Sequence, residues 1–337
     1  MTVPNSAGGL AGSAERRSTR PLIPGAVVND ETLSFAQASS GVRFVLQEAQ
    51  DRDNGEAFAD FARSIEDLIG SSFDDVLSGS DDHNVIDGGA GLGNDTLEGG
   101  RGDDTVSYAA AGSGVTVSLA ISGPQNTGGA GSDRLSGFEN LRGSRFDDIL
   151  SGDGENNELD GGEGIDTVSY SGAAARVVVS LALQGESQAT EGAGEDRLRG
   201  FENLRGSAFN DVLSGDGGAN AIEGGGGNDR MRGGAGLDTA SYSGAAAGND
   251  TLSGGGGADR FVVGPTPAAA DADTVTDFVS GSDLLDLRAI DADPTTVTDD
   301  ALVWVGLLAN TGAGPAAGVE LAWLNGVTTL VAADCLV

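Results

Sequence analysis

Lysine is missing from this chain; all 18 basic residues are arginine. Histidine and cysteine occur once each, as His83 and Cys335, and aromatic residues make up 5% of the 337 positions. Without lysine there is no phosphate-loop lysine, no Schiff base and no pyridoxal-phosphate anchor. A single histidine excludes H-E-x-x-H and other two-histidine metal centres, and a single cysteine excludes a disulfide framework. Positive charge is scarce: 52 acidic against 18 basic residues leave a formal charge of −34. That field argues against nucleic acid and against anionic membrane surfaces, because phosphate binding needs clustered cations. No apolar run approaches the roughly 18 residues of a membrane span. G-x-S-x-G and a His–Asp–Ser set are also missing, and the chain reads as non-enzymatic.

Glycine is what the chain has in excess, at 57 positions. High charge with abundant glycine is one signature of disorder, yet 38% of residues are hydrophobic and they recur at regular positions. The combination describes a chain that folds once something neutralises its carboxylates.

The regularity is a nonapeptide. Gly99-Gly100-Arg101-Gly102-Asp103-Asp104-Thr105-Val106-Ser107 reads G-G-x-G-x-D-x-U-x, with U a bulky apolar residue. The pattern returns at 128–136, 161–169, 224–232, 233–241 (with Ala240 at U) and 254–262, and looser copies fill much of the space between. A longer repeat lies above it: Phe138-Glu139-Asn140-Leu141-Arg142-Gly143-Ser144 recurs as Phe201-Glu202-Asn203-Leu204-Arg205-Gly206-Ser207, an offset of 63 residues or seven nonapeptides.

In each nonapeptide the first six residues suit a tight turn that uses φ > 0. The last three suit a short strand whose central side chain points inward. Two nonapeptides make one coil, and stacked coils give two parallel sheets. Their core is expected from Leu77, Ile86, Leu97, Val106, Leu135, Leu150, Leu159, Val168, Leu198, Leu213, Ile222, Met231, Ala240, Leu252 and Phe261. One coil cannot bury its own face, so stability depends on neighbouring coils and on whatever fills the turns. Longer segments with strand alternation interrupt the repeats at Val115, Val117 and Leu119 and at Val177, Val179 and Leu181. Gly41 to Leu46, preceded by Leu33-Ser34-Phe35, reads as an eroded first module, so repeated architecture is expected to begin near residue 30.

The turns offer glycine carbonyls and carboxylates, hard oxygen donors without nitrogen or sulfur. Calcium takes 6–8 such oxygens in flexible geometry, whereas zinc prefers His or Cys. One loop supplies too few ligands, but the loop 18 residues on lies above it, as at Asp148/Asp166, Asp211/Asp229 and Asn220/Asp238. Asp75/Asp95 and Asn84/Asp104 are 20 apart, a two-residue insertion that is expected to weaken them, as is the neutral amide of Asn84, Asn157 or Asn220. Randomly placed acids would not share one phase with glycine over so many copies. Asp51 to Glu56 faintly resembles an EF-hand loop, but its glycine comes one place early and the distal Glu is missing.

The nonapeptide, from about Leu68 to Val262, resembles the calcium-binding repeat of RTX (repeats-in-toxin) proteins. The resemblance implies an all-β fold: a right-handed parallel β-roll with longer insertions, in which several calcium ions each bridge turns n and n+2. It implies ligands among Asp75, Asp95, Gly100, Gly102, Asp104, Asp133, Asp148, Gly162, Gly164 and Asp166. Asp196, Asp211, Gly225, Gly227, Asp229, Gly234, Gly236, Asp238, Asp250 and Asp259 complete that set. The chain departs from an uninterrupted roll at 108–127 and 170–190, where the calcium ladders are expected to break.

Asp273-Thr274-Val275-Thr276-Asp277-Phe278, continuing to Leu287, is similar to the end of the roll in serralysin-type proteases and other type I secretion substrates. Val319 to Leu324, then Asn325-Gly326, then Val327 to Val331 carries a hairpin signal that would form a C-terminal β cap. Asp334-Cys335-Leu336-Val337 resembles an uncleaved secretion signal read by the type I machinery. Residues 1–29 lack the unbroken apolar core of a secretory signal and read as a floppy leader.

The expected division is therefore leader 1–29, roll 30–263, and capping and signal segment 264–337. The expected protein is secreted, binds several calcium ions and folds on binding them, with no nucleic-acid partner, no membrane span and an unknown extracellular partner. Its alternatives are the calcium-dependent part of a larger secreted hydrolase or toxin, or a calcium-dependent adhesin.

Overall fold

The computed structural model describes residues 27–29, 31–46, 65–241, 249–262, 273–279, 282–286, 304–307, 320–324 and 335–336. Among them the architecture is all-β with almost no helix, arranged as sheets of nine, five, nine and seven strands in which nearly all pairings are parallel. Most strands are three residues long, which is what x-U-x allows between turns: the middle side chain goes inward and its neighbours face out.

Consecutive strands enter different sheets. Asp67–Ile69, Val85–Asp87 and Thr105–Ser107 pair in one, aligning Leu68, Ile86 and Val106. Val76–Ser78 and Thr96–Glu98, which alternate with them in sequence, pair in another and align Leu77 with Leu97. All fifteen U residues expected in the core are buried, eleven of them completely. Burying one Leu or Val side chain is worth about 1.5–3 kcal/mol, but each coil contributes only two such positions.

The longer segments do not interrupt the stack. Thr105–Ser107 pairs directly with Asn140–Arg142, and Thr167–Ser169 with Asn203–Arg205. Within the first segment, Gln125–Gly128 folds antiparallel on Gly131–Ser136 and closes the five-stranded sheet. In the same segment Thr116–Ser118 pairs with Ile149–Ser151 and opens the second nine-stranded sheet. The second segment repeats the device: Ser187–Ala189 closes one sheet against Glu195–Arg199, and Val178–Ser180 opens another against Val212–Ser214.

Near the start, Arg43–Val45 opens the five-stranded sheet against Val76–Ser78, and Thr32–Ser34 pairs with Asp67–Ile69. Phe35, Tyr108 and Tyr170 are buried at matching places, their amides donating to Ile69, Arg142 and Arg205 carbonyls.

Towards the C-terminus, Leu284–Asp286 pairs with Arg260–Val262 and with Cys335–Leu336. Glu320–Leu324 pairs in parallel with Asp273–Val275 and with Trp304–Leu307. The other arm expected for its hairpin, Val327 to Val331, lies outside the described residues, as does the stretch from Asp51 to Glu56. No helix among the described residues is long and apolar enough to cross a membrane.

Candidate metal-binding turns

The repeat aspartates line up between coils, and one oxygen of each is already used. Asp95 Oδ1 accepts the amide of Asp75 at 2.8 Å, Asp166 Oδ1 that of Asp148 at 2.8 Å, and Asp229 Oδ1 that of Asp211 at 2.8 Å. The ladder continues from Asp229 to Asp250 to Asp273, and from Asn220 through Asp238 and Asp259 to Asp283. The preceding position forms a second ladder that runs the other way. There the side chain of the earlier coil accepts the amide of the later one, as with Asp74 and Asn94, Asp147 and Ile165, or Asn210 and Asn228. Adjacent coils are therefore zipped reciprocally through side chains as well as through strand pairing.

The second carboxylate oxygen meets one of several fates. At Asp75, Asp148 and Asp211 it accepts the backbone amide of Ser71, Ser144 or Ser207 at 2.5–2.6 Å, and the serine hydroxyls also donate to these carboxylates. At Asp196 it accepts the buried Tyr170 hydroxyl at 3.0 Å. At Asp104, Asp166, Asp229 and Asp238 it is buried with no hydrogen-bond partner. Those four residues are at most 3% exposed, and an unpaired buried carboxylate oxygen is costly.

The difference originates one residue after the first glycine. In the four orphaned turns that residue is Gly100, Gly162, Gly225 or Gly234, each with φ between 95° and 122°. Serine does not take positive φ at the equivalent places, and its amide closes on the carboxylate instead. The asparagine copies behave like the serine ones: Asn84, Asn157 and Asn220 accept the amides of Ser80, Asp153 and Asp216 through Oδ1. Their Nδ2 groups donate to the carbonyls of Glu66, Glu139 and Glu202.

The first glycine of each turn leaves a cradle. A Cβ built on Gly161 would lie 2.3 Å from the Gly200 carbonyl oxygen and 2.7 Å from Asp166 Oδ2. On Gly233 it would lie 2.4 Å from Asp238 Oδ2 and 2.5 Å from the Gly254 carbonyl oxygen. Carboxylate and carbonyl oxygens thus crowd one small space, a donor set that suits a hard cation. Among the described residues no group of three or more Asp, Glu, His or Cys side chains could hold a metal alone. Backbone oxygens must complete any coordination. The residues fit calcium on these terms.

Burial disfavours charge on these carboxylates. It lifts Asp95, Asp166 and Asp229 to about 7 and Asp104, Asp133 and Asp196 to about 6, against hydrogen bonds that pull down. Asp238 and Asp259 rise for the same reason. Neighbouring carboxylates add to the rise, as Asp148, Glu202 and Asp147 do at Asp166.

The residues singled out in the sequence thus occupy several settings. Gly100, Gly102, Gly162, Gly164, Gly225, Gly227, Gly234 and Gly236 all take positive φ in turns. Asp133 and Asp196 sit on the hairpin strands of the longer segments, and the repeat at 128–136 makes a hairpin turn rather than a coil turn. The turn before Asp259 is also held by the following coil: Asp277 accepts the Ser253 hydroxyl at 2.6 Å, the Gly254 amide at 3.0 Å and the Gly255 amide at 2.9 Å.

Glu139 and Glu202 carry the side-chain ladder past the longer segments by accepting the amides of Asp104 and Asp166. The expected break therefore does not extend to the hydrogen bonds between coils. These glutamates, the three serines and Tyr170 escaped the sequence reading, although Phe-Glu-Asn-Leu-Arg-Gly-Ser, repeated whole, contains both the Glu and the Ser. His83 is exposed, and its Nδ1 accepts the Asp103 amide at 2.9 Å.

The RTX calcium-binding nonapeptide repeat (4 copies) model matches residues 64–92, 90–110, 127–168, 205–240 and 245–265. No curated protein matches the chain.

Proposed function

We propose, from the premise that this chain carries RTX calcium-binding nonapeptide repeats, that it is a secreted, non-enzymatic calcium-binding protein whose repeats fold when they take up calcium. Repeat domains of this kind are typically structural calcium-binding modules of secreted proteins. The finer reading is a right-handed β-roll over about 30–263, a leader at 1–29, and a cap with a type I export signal within 264–337.

The observation that carries the reading is the set of four buried carboxylate oxygens, on Asp104, Asp166, Asp229 and Asp238, that no protein group satisfies. With the glycine carbonyls beside them they would hold the ions. Bound calcium would supply the positive charge that a formal net charge of −34 lacks. The coil-to-coil ladder holds each carboxylate in place, and the U residues keep the turns stacked.

A ligand that binds only the folded chain stabilises it by RT ln(1 + [L]/Kd). At ~1 mM calcium and a Kd of ~0.1 mM, each site contributes about 1.4 kcal/mol; at ~0.1 μM it contributes essentially nothing. Since net stability is typically about 5–15 kcal/mol, a few sites decide whether the chain folds. The chain is thus unfolded inside the producing cell and folded outside. Circular dichroism during a calcium titration tests this: strand signal should grow with calcium and collapse on chelation, and a spectrum indifferent to EDTA would overturn it.

A further inference from the structure

We propose that the residue after the first glycine sorts the turns into two kinds, and that calcium enters only the Gly-Gly kind. This rests on the calcium reading above and adds to it which turns are loaded. Where serine or aspartate follows the first glycine, the turn closes on itself. Ser71, Ser80, Ser144, Asp153, Ser207 and Asp216 aim their amides at the acid or amide four residues on. In these turns every side-chain oxygen of that acid or amide already accepts a backbone amide. At Gly100, Gly162, Gly225 and Gly234 positive φ turns the backbone away and one oxygen of Asp104, Asp166, Asp229 or Asp238 is stranded; Gly89 and Gly255 also follow glycine with positive φ, but Asp95 and Asp259 in their turns have no fully buried unpartnered oxygen.

The two kinds are stacked in pairs. Each stranded aspartate accepts, through its other oxygen, the amide of a closed turn in the preceding coil: Asn84 for Asp104, Asp148 for Asp166, Asp211 for Asp229 and Asn220 for Asp238. Every metal position therefore has one wall that is complete without metal and one that is not. Closed turns act as prebuilt floors, and only the turn above them waits for an ion. Asn84, Asn157 and Asn220, which the sequence suggested were weak metal sites, are finished turns that need none.

Counting calcium on the full-length chain tests this, using equilibrium dialysis against millimolar radioactive calcium, which keeps the free ion present while bound ions are counted. Asp148→Asn and Asp211→Asn, in closed turns, should leave the number of bound ions unchanged. Asp166→Asn and Asp229→Asn, in open turns, should each lower it by one. Because an open-turn variant could lose ions by misfolding, Ser144→Gly supplies the converse: it converts a closed turn to an open one and should add an ion. Equal losses from Asp148→Asn and Asp166→Asn, or an unchanged count in Ser144→Gly, would overturn the sorting while leaving calcium binding intact. A wild-type chain that retains no calcium would instead bring down the calcium reading itself, and the sorting with it.

Discussion

Tyr170 spends its hydroxyl on an oxygen of Asp196 that would otherwise be stranded, and both residues are buried. Tyr170→Phe removes the donor and leaves the carboxylate in place, at a cost of about 1–3 kcal/mol. Urea unfolding in saturating calcium measures that loss. Gly161→Ala brings a methyl group against the Gly200 carbonyl and the Asp166 carboxylate, both closer than a Cβ tolerates. Overpacking of this kind costs about 1–3 kcal/mol. Here it should also weaken calcium affinity, which calorimetric titration reads independently of stability. The shared phase of glycine and aspartate made the acids themselves legible from sequence. What each carboxylate's second oxygen does was not legible, because that depends on the backbone angle of a residue four places earlier. Glu139 was hidden for a related reason: it enters the ladder from a segment with no nonapeptide phase.

Single strands here are too short to stand alone, and their worth lies in the neighbour above and below. Leu150, fully buried, lies between Val117 and Val168 in its sheet. Leu150→Ala should cost about 2–5 kcal/mol, with the lower midpoint seen by chemical denaturation in calcium. The inward positions could be read from sequence because a U residue recurs in a constant phase, and every one expected is buried. The exchange of sheets at the longer segments could not. Val117 and Val179 alternate as any strand would, and nothing in three residues says whether a strand extends an existing sheet or opens a new one.

At the scale of the whole chain, the folded state without metal is a store of crowded carboxylates. Asp95, Asp104, Asp166 and Asp229 have folded values raised to between about 6 and about 7, above the usual carboxylate value of about 4. A raised folded value means that the proton binds the folded form more tightly, so this contribution is full below about pH 4 and is lost as pH climbs towards 7. In EDTA, then, the fraction of strand that survives should be larger at pH 5 than at pH 8. In calcium the order should reverse, since protons and metal compete for the same oxygens. Circular dichroism at each pH in EDTA, and a urea midpoint at each pH in calcium, check both halves.

The alternation of consecutive strands between two sheets also sets how this chain can change in length. Adding or deleting 18 residues removes or supplies one complete coil, and everything downstream keeps its seat. Adding nine would send each later strand to the opposite wall, parting serine-closed floors from the open turns built on them. Within an uninterrupted run of nonapeptides growth is counted in pairs; the 63-residue repeat, an odd seven nonapeptides, is accommodated because a longer segment in each copy opens a new sheet, at Thr116–Ser118 and at Val178–Ser180.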